Sequence, residues 1–203
     1  MTRVRADDYG DKKQLILDRA AECFALRGFD GTTMIEVAQA CGTSKSHLYH
    51  YFARKEDLLF AIISEHITAQ AAELMEIVGL AQPAEARFAR FVDVFVARSA
   101  DSRHEHLVLM NDLKFLPAAR RKQVRKLETQ LVDLMIGLLK EINPALMLPD
   151  KVQAPYAMLL FGMIIWTFTW YQKSGAIAPA ELAARISHLF VHGFKSGDFP
   201  AAG

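Results

Sequence analysis

The eighteen residues from Ala154 to Tyr171, APYAMLLFGMIIWTFTWY, carry no charge, and they restrict the folding of this chain more than any other stretch. A helix of that composition is apolar on every side. It must cross a bilayer or be enclosed by protein, at the centre of a helical bundle or at a seam between subunits. Pro155, Gly162, Thr167 and Thr169 interrupt the run, it stands alone, and its neighbours are amphipathic. Enclosure within a soluble protein is therefore the expectation, with no membrane partner. At helical period, Leu159, Gly162, Met163, Trp166, Thr169 and Trp170 share one face, and Ala157, Phe161, Ile164, Phe168 and Tyr171 share the opposite one. Two apolar faces need two partners.

The rest of the chain has the same period. Apolar residues at Leu15, Ile16, Ala20, Cys23 and Phe24 predict a helix over Lys12 to Arg27, stopped by Gly28. Thr33 to Glu36 reads as a capping box opening a short helix that Cys41-Gly42 ends. Thr43 or Ser44 caps a third, and a fourth runs from about Lys55 to about Leu80. Prolines at 83, 117 and 144 and Gly175 divide the remainder into helices near 84–103, 105–116, 118–142, 151–173 and 179–195. No alternating strand pattern survives. The expected fold is all-α, with an N-terminal three-helix domain over residues 1–54 and a helical bundle over 55–203. The 203 residues, 52% of them apolar, suffice for a sizeable core. The N-terminus has no apolar leader, and two cysteines make no disulfide framework, so a reducing cytoplasm is expected and Cys23 and Cys41 read as packing groups.

The segment CGTSKSHLYHYF, Cys41 to Phe52, shows what the short helices are for. Ser44, Leu48 and Phe52 form an inward stripe, while Ser46, His47, Tyr49 and His50 face outward and Lys45 sits in the first turn. From Ser44 to Lys55 there are three cations and no carboxylate, although residues 1–60 balance nine Lys/Arg against nine Asp/Glu. A capped helix, a glycine turn and a second helix presenting hydroxyls, a cation and aromatic tips is a helix-turn-helix whose second helix can enter the major groove of double-stranded DNA. Hydroxyls and lysines would hold phosphates; short polar groups in the first turns would read base edges.

Residues 10–60, with GTTMIEVAQACGTSKSHLYHYFARKEDLL at their heart, resemble the N-terminal domain of the TetR family of bacterial transcriptional regulators. The resemblance implies a homodimer with a helical C-terminal ligand domain, released from its operator when a small molecule binds. Carried over by position, Lys45, Ser46, His47 and Tyr49 fall where the family reads bases. Thr33, Thr43, Ser44, His50, Tyr51 and Lys55 fall where it mostly holds phosphates. Ser46 stands where many members have glycine, and Arg54 replaces the usual Ser or Asn cap.

In the second half, LFGMIIWTFTWYQKSG resembles a helix of members that sense CoA thioesters. Arg120 to Lys126, RRKQVRK, places five cations early in a helix, where the macrodipole disfavours them. The phosphates of an acyl-CoA would relieve that repulsion at Arg121 and Arg125, with the acyl group passing toward Met110, Phe115, Trp166 and Trp170. The alternative is a multidrug-type regulator of lipophilic cations, against which the acid-free 151–173 helix argues. Leu182, Ile186, Leu189 and Phe190 form a stripe expected to pair two copies together with the 151–173 helix. His188 and His192 share a face but lack a third ligand, so no metal is expected, and no cofactor. There is no nucleophile elbow, P-loop, dinucleotide fingerprint or HExxH, and no convergent acid–base set, so the chain is not read as an enzyme.

Overall fold

The computed structural model describes the backbone of residues 2–172 and 174–196, and the side chains of these except at 2–8, 99, 100 and 196. Among the described residues there are helices and no strand. They are α1 (Thr2–Arg27), α2 (Met34–Ala40), α3 (Lys45–Tyr51), α4 (Lys55–Val78), α5 (Ala84–Asp101), α6 (Arg103–Asp112), a 3-10 turn (Leu113–Phe115), α7 (Ala118–Ile142), α8 (Asp150–Ile165), α9 (Thr167–Trp170) and α10 (Pro179–Ser196). Contacts gather them into two compact units, residues 1–68 with 102–126, and residues 69–101 with 127–203.

In the first unit α1 packs on α2 and α6, and α2 on α3. Its core is built from Ile16, Ala20, Phe24, Val37, Leu48, Leu58 and Ile62, all nearly inaccessible. Leu48 and Phe52 turn inward as the helical period requires, but Ser44 is exposed: as N-cap of α3 its hydroxyl is occupied by the backbone N–H of His47 at 3.1 Å, at the surface. Helix α1 begins ten residues before the apolar periodicity does, because its first turns are polar. Cys23 is buried, and burial pushes the Cys41 thiol up to about 11, so it stays protonated.

In the second unit α5 packs against α8, α9 and α10 through phenylalanine. Phe88 stacks on Phe190 and Phe190 on Phe194, while Phe95 meets Phe161 and Phe168 edge-on. Leu182, Ile186 and Phe190 are therefore spent on their own unit, and only Leu189 of the expected pairing stripe is exposed. The uncharged run has the expected two faces: Ala157, Phe161, Ile164, Phe168 and Tyr171 are buried, and Leu159, Met163, Trp166 and Trp170 are exposed.

It is not one helix, however. The Thr167 and Thr169 hydroxyls donate to the carbonyls of Ile164 and Trp166, three residues back, at 2.6 and 2.7 Å, and this local competition with the helical ladder accompanies the break at Trp166. The expected end at residue 173 lies outside the described residues. Likewise α5 stops at Asp101, and the 105–116 helix tightens to a 3-10 turn after Asp112. By length and composition alone, α4 and Asp150–Trp170 could each cross a membrane.

His106 in α6 is 3% exposed, its ring 5.9 Å from that of His66 in α4, and burial lowers its pKa to about 4. In the unfolded chain it titrates near 6.5. Stability from the neutral imidazole is thus fully present above 6.5 and lost as pH falls toward 4, by up to about 1.4 kcal/mol per pH unit. Burial raises Glu105 and Asp112 instead, which acts in the opposite sense, so the imidazole is isolated by difference. Urea unfolding between pH 7 and 4 should show a steeper acid loss in the native protein than in His106→Gln.

Candidate nucleic-acid interface

The surface around α3 is set by how α1 ends. Gly28 takes φ 76°, the left-handed conformation that terminates a helix, and the buried Thr32 hydroxyl donates to the carbonyls of Gly28 and Cys23 at 3.0 and 3.2 Å. Thr33 then caps α2. Its N–H and hydroxyl donate to the Glu36 carboxylate at 2.7 and 2.8 Å, which holds that carboxyl below its usual range, and its oxygen accepts the Glu36 N–H. Gly42, at φ 63°, reverses the chain, with Thr43 N–H returning to Ala38 O at 2.9 Å.

Helix α3 therefore presents Lys45, Ser46, His47, Tyr49 and His50 to solvent, with Thr43 half-buried beside them. The Lys45 ammonium lies 5.6 Å from the Tyr49 ring centre, so a cation and an aromatic tip share one stretch of surface. Tyr51 is half-buried. Its ring stacks on Tyr9 of α1 at 4.7 Å and takes the edges of His47 and His50 at 5.3 and 5.7 Å. Tyr9 went unrecognised in the sequence because nothing local links it to a residue 42 positions on.

Lys55, expected at phosphate, also makes contacts within the protein. Its ammonium donates to the carbonyls of Phe29 and Thr32 at 2.7 and 2.9 Å and lies 4.1 Å from the Phe29 ring centre. Two of its three donors are thus used inside the protein. Phe29 is bound on every side: its N–H donates to the buried Asp112 carboxyl, and its ring stacks on Phe115 at 5.1 Å and meets Phe24 edge-on. Phe115, expected beside a ligand, is half-buried in this junction. The exposed Arg54 pairs with Asp57 at 3.4 Å.

The basic run on α7 divides. Arg120 turns inward to Asp57 at 2.6 Å, over the Phe60 ring, and is neutralised. Arg121 and Arg125 line a cleft of about 540 Å³ with Met110, Asn111, Leu113 and Lys114. Three of the expected ligand residues, Met110, Arg121 and Arg125, therefore come together, and Lys114 joins them as a cation missed in the sequence. Among the described residues no carboxylate lines this cleft. Arg121 donates to Leu116 O at 2.5 Å and Lys114 O at 3.3 Å, capping the 3-10 turn. Trp166 and Trp170, expected to wall a pocket, are 66% and 51% exposed on the outer face of the second unit, because the opposite face of the run fills its core.

A family model described as bacterial regulatory proteins, tetR family, matches residues 16–62, and one described as a tetracyclin repressor-like C-terminal domain matches residues 81–194. The chain is 25% identical over 202 residues to the HTH-type transcriptional repressor KstR2 of Rhodococcus jostii, covering 97% of this chain and 98% of that one. A TetR-family transcriptional regulator from Bordetella parapertussis superposes with a TM-score of 0.83 at 32% identity, over 94% of this chain and 98% of that one. AibR, solved with isovaleryl coenzyme A and operator DNA, shares the fold with a TM-score of 0.76 at 23% identity, over 88% and 97% of the two chains.

Replacing Tyr49 or Lys45 by Ala should weaken DNA binding by about 1–3 kcal/mol without loss of helicity. Lys55→Met should instead lower folding stability by about 1.5–3 kcal/mol, the worth of its charged hydrogen bonds, and leave the salt dependence of DNA binding unchanged. Fluorescence anisotropy at stepped salt concentrations, with urea unfolding alongside, separates the two effects.

Proposed function

The chain belongs to the TetR family of bacterial regulatory proteins and is a DNA-binding transcriptional repressor, and on that premise we propose that an acyl-CoA or a similar catabolic intermediate releases it from its operator. The observation that carries DNA recognition is α3, a short capped helix after the Gly42 turn with Lys45, Ser46, His47, Tyr49 and His50 at its surface. Base edges are read by Lys45, Ser46, His47 and Tyr49. Thr33, Thr43, Ser44, His50 and Tyr51 serve the phosphates, Thr33 with whatever capacity its capping box leaves.

Ligand sensing is supported by the cleft that brings Lys114, Arg121 and Arg125 together, three cations whose convergence suits a polyphosphate. AibR, a chain of the same fold, binds a CoA thioester and operator DNA. The acyl group lies against Met110 and Leu113. An arriving phosphate competes with the carbonyls of Lys114 and Leu116 for Arg121 and so loosens the turn that carries Phe115. Phe115 stacks on Phe29, and Phe29 leads directly into the cap of α2, so the loosening reaches the DNA-reading helices.

The repressor acts in the cytoplasm as a homodimer, paired through the exposed Met158, Leu159, Met163 and Trp166 with Leu189 of α10. A two-fold dimer reads a pseudo-palindrome. Sedimentation should give a dimer at micromolar concentration, and Met163→Glu with Leu189→Glu a monomer that no longer selects the palindrome. A DNA-release titration with CoA thioesters, free CoA and the matching free acids tests the ligand. Thioesters should release the protein, and Lys114→Gln with Arg125→Gln should raise the concentration required by about tenfold or more, one lost phosphate contact being worth about 1.4 kcal/mol. Release by free acids where every thioester fails would leave the repressor and remove the CoA reading.

A further inference from the structure

Helix α10 carries a pair of side chains that neither DNA reading nor ligand release uses. His188 and His192 are exposed one helical turn apart, and their ring centres lie 4.0 Å from each other with the planes tilted by 49°. Histidines four apart on a helix form a chelating pair, since each imidazole can turn one nitrogen toward a common point about 2 Å away. One copy of the chain brings two such ligands together and no third.

The direction of the pair matters as much as its spacing. With Leu189 set at zero, the helical period puts His192 at about −60° and His188 at about −100°, whereas the buried Ile186 and Phe190 lie at about +60° and +100°. The imidazoles thus project away from the core of their own unit. Leu189, 66% exposed, adjoins them, as does the exposed Gly193, where an added Cβ meets nothing within 4 Å and a neighbouring helix could come close. This is the α10 face assigned above to the pairing of two copies. A second copy seated on it covers both imidazoles, and polar groups so covered are costly unless they gain partners.

Charge also permits a cation here. Arg185 and Lys195 are the cations of α10, and each is held by a carboxylate, Arg185 by Glu181 and Lys195 by Glu85, both at 2.7 Å. A dication reaching the histidines is therefore not opposed by an unneutralised guanidinium or ammonium on this helix.

We propose that His188 and His192 from two copies of the chain together bind one zinc ion on the two-fold axis of the dimer. The assignment rests on the pairing through Leu189 and α8. Two ligands from each copy make four, the number a closed tetrahedral zinc site takes, and nitrogen donors favour zinc over magnesium or calcium, which take oxygen. The metal satisfies the covered imidazoles and ties the two copies together.

The test is calorimetric titration of the untagged full chain with zinc chloride, with sedimentation in the presence and absence of the metal. One zinc should bind per two chains and hold the dimer at dilutions where the metal-free protein dissociates; magnesium chloride should do neither. His188→Ala and His192→Ala should each weaken zinc binding by about tenfold or more, with helical circular dichroism and metal-free operator affinity unchanged. One zinc per chain, or zinc affinity unchanged in the double histidine variant, would overturn the assignment. So would a dimer that takes up no zinc. A chain that stays monomeric until zinc pairs it through both histidines would keep the site and remove the apolar pairing, whereas a chain monomeric with and without zinc would remove both.

Discussion

The DNA-reading end of this protein depends on how one loop residue, Phe29, is held. Between the end of α1 and the cap of α2 the backbone has no helix to satisfy it, and its polar groups would be costly if enclosed without partners. Lys55 supplies donors to two carbonyls, Asp112 accepts the Phe29 N–H, and Phe24, Phe115 and the Lys55 ammonium surround the ring. Each partner comes from a different element: α1, α4, α6 and the turn after it. The cap of α2, four residues beyond Phe29, is positioned by all of them together, and α3 follows from α2 through the Gly42 reversal.

Adjacent arginines illustrate how sharply position divides function. Arg120 lies over Phe60 and pairs with Asp57, so it serves the packing of α7 on α4. Arg121, about a third of a turn further round, donates to two carbonyls at the rim of the basic cleft. A guanidinium facing a carboxylate is already satisfied. One that caps neutral carbonyls retains its full charge for an incoming anion.

What could be read from the sequence was what local chemistry determines. The capping box at Thr33 and the glycine turn after it each need only four residues to be recognised, and the structure has both where expected; of the two hydroxyls offered as the next cap, Thr43 and Ser44, it uses Ser44. The two faces of the uncharged run follow from helical period alone. The contacts of Lys55 and Phe115 were not legible for the opposite reason: their partners stand 26 and 86 residues away, and a lysine in a basic stretch gives no local sign that two carbonyls will accept from it. Trp166 and Trp170 were correctly placed on one face, but period does not say which of two apolar faces a core will choose. A boundary after residue 54 follows the motif, whereas the compact unit that contains the motif also takes in residues 102–126.

That last contact pattern bears on how the protein is made. The clamp on Phe29 includes Asp112 and Phe115, which a ribosome adds more than eighty residues after Phe29 itself. Until that stretch has emerged, the nascent helix-turn-helix lacks both the acceptor for its loop amide and the ring that covers it. The clamp that positions the DNA-reading helices is thus complete only once α6 and the turn after it have been synthesised.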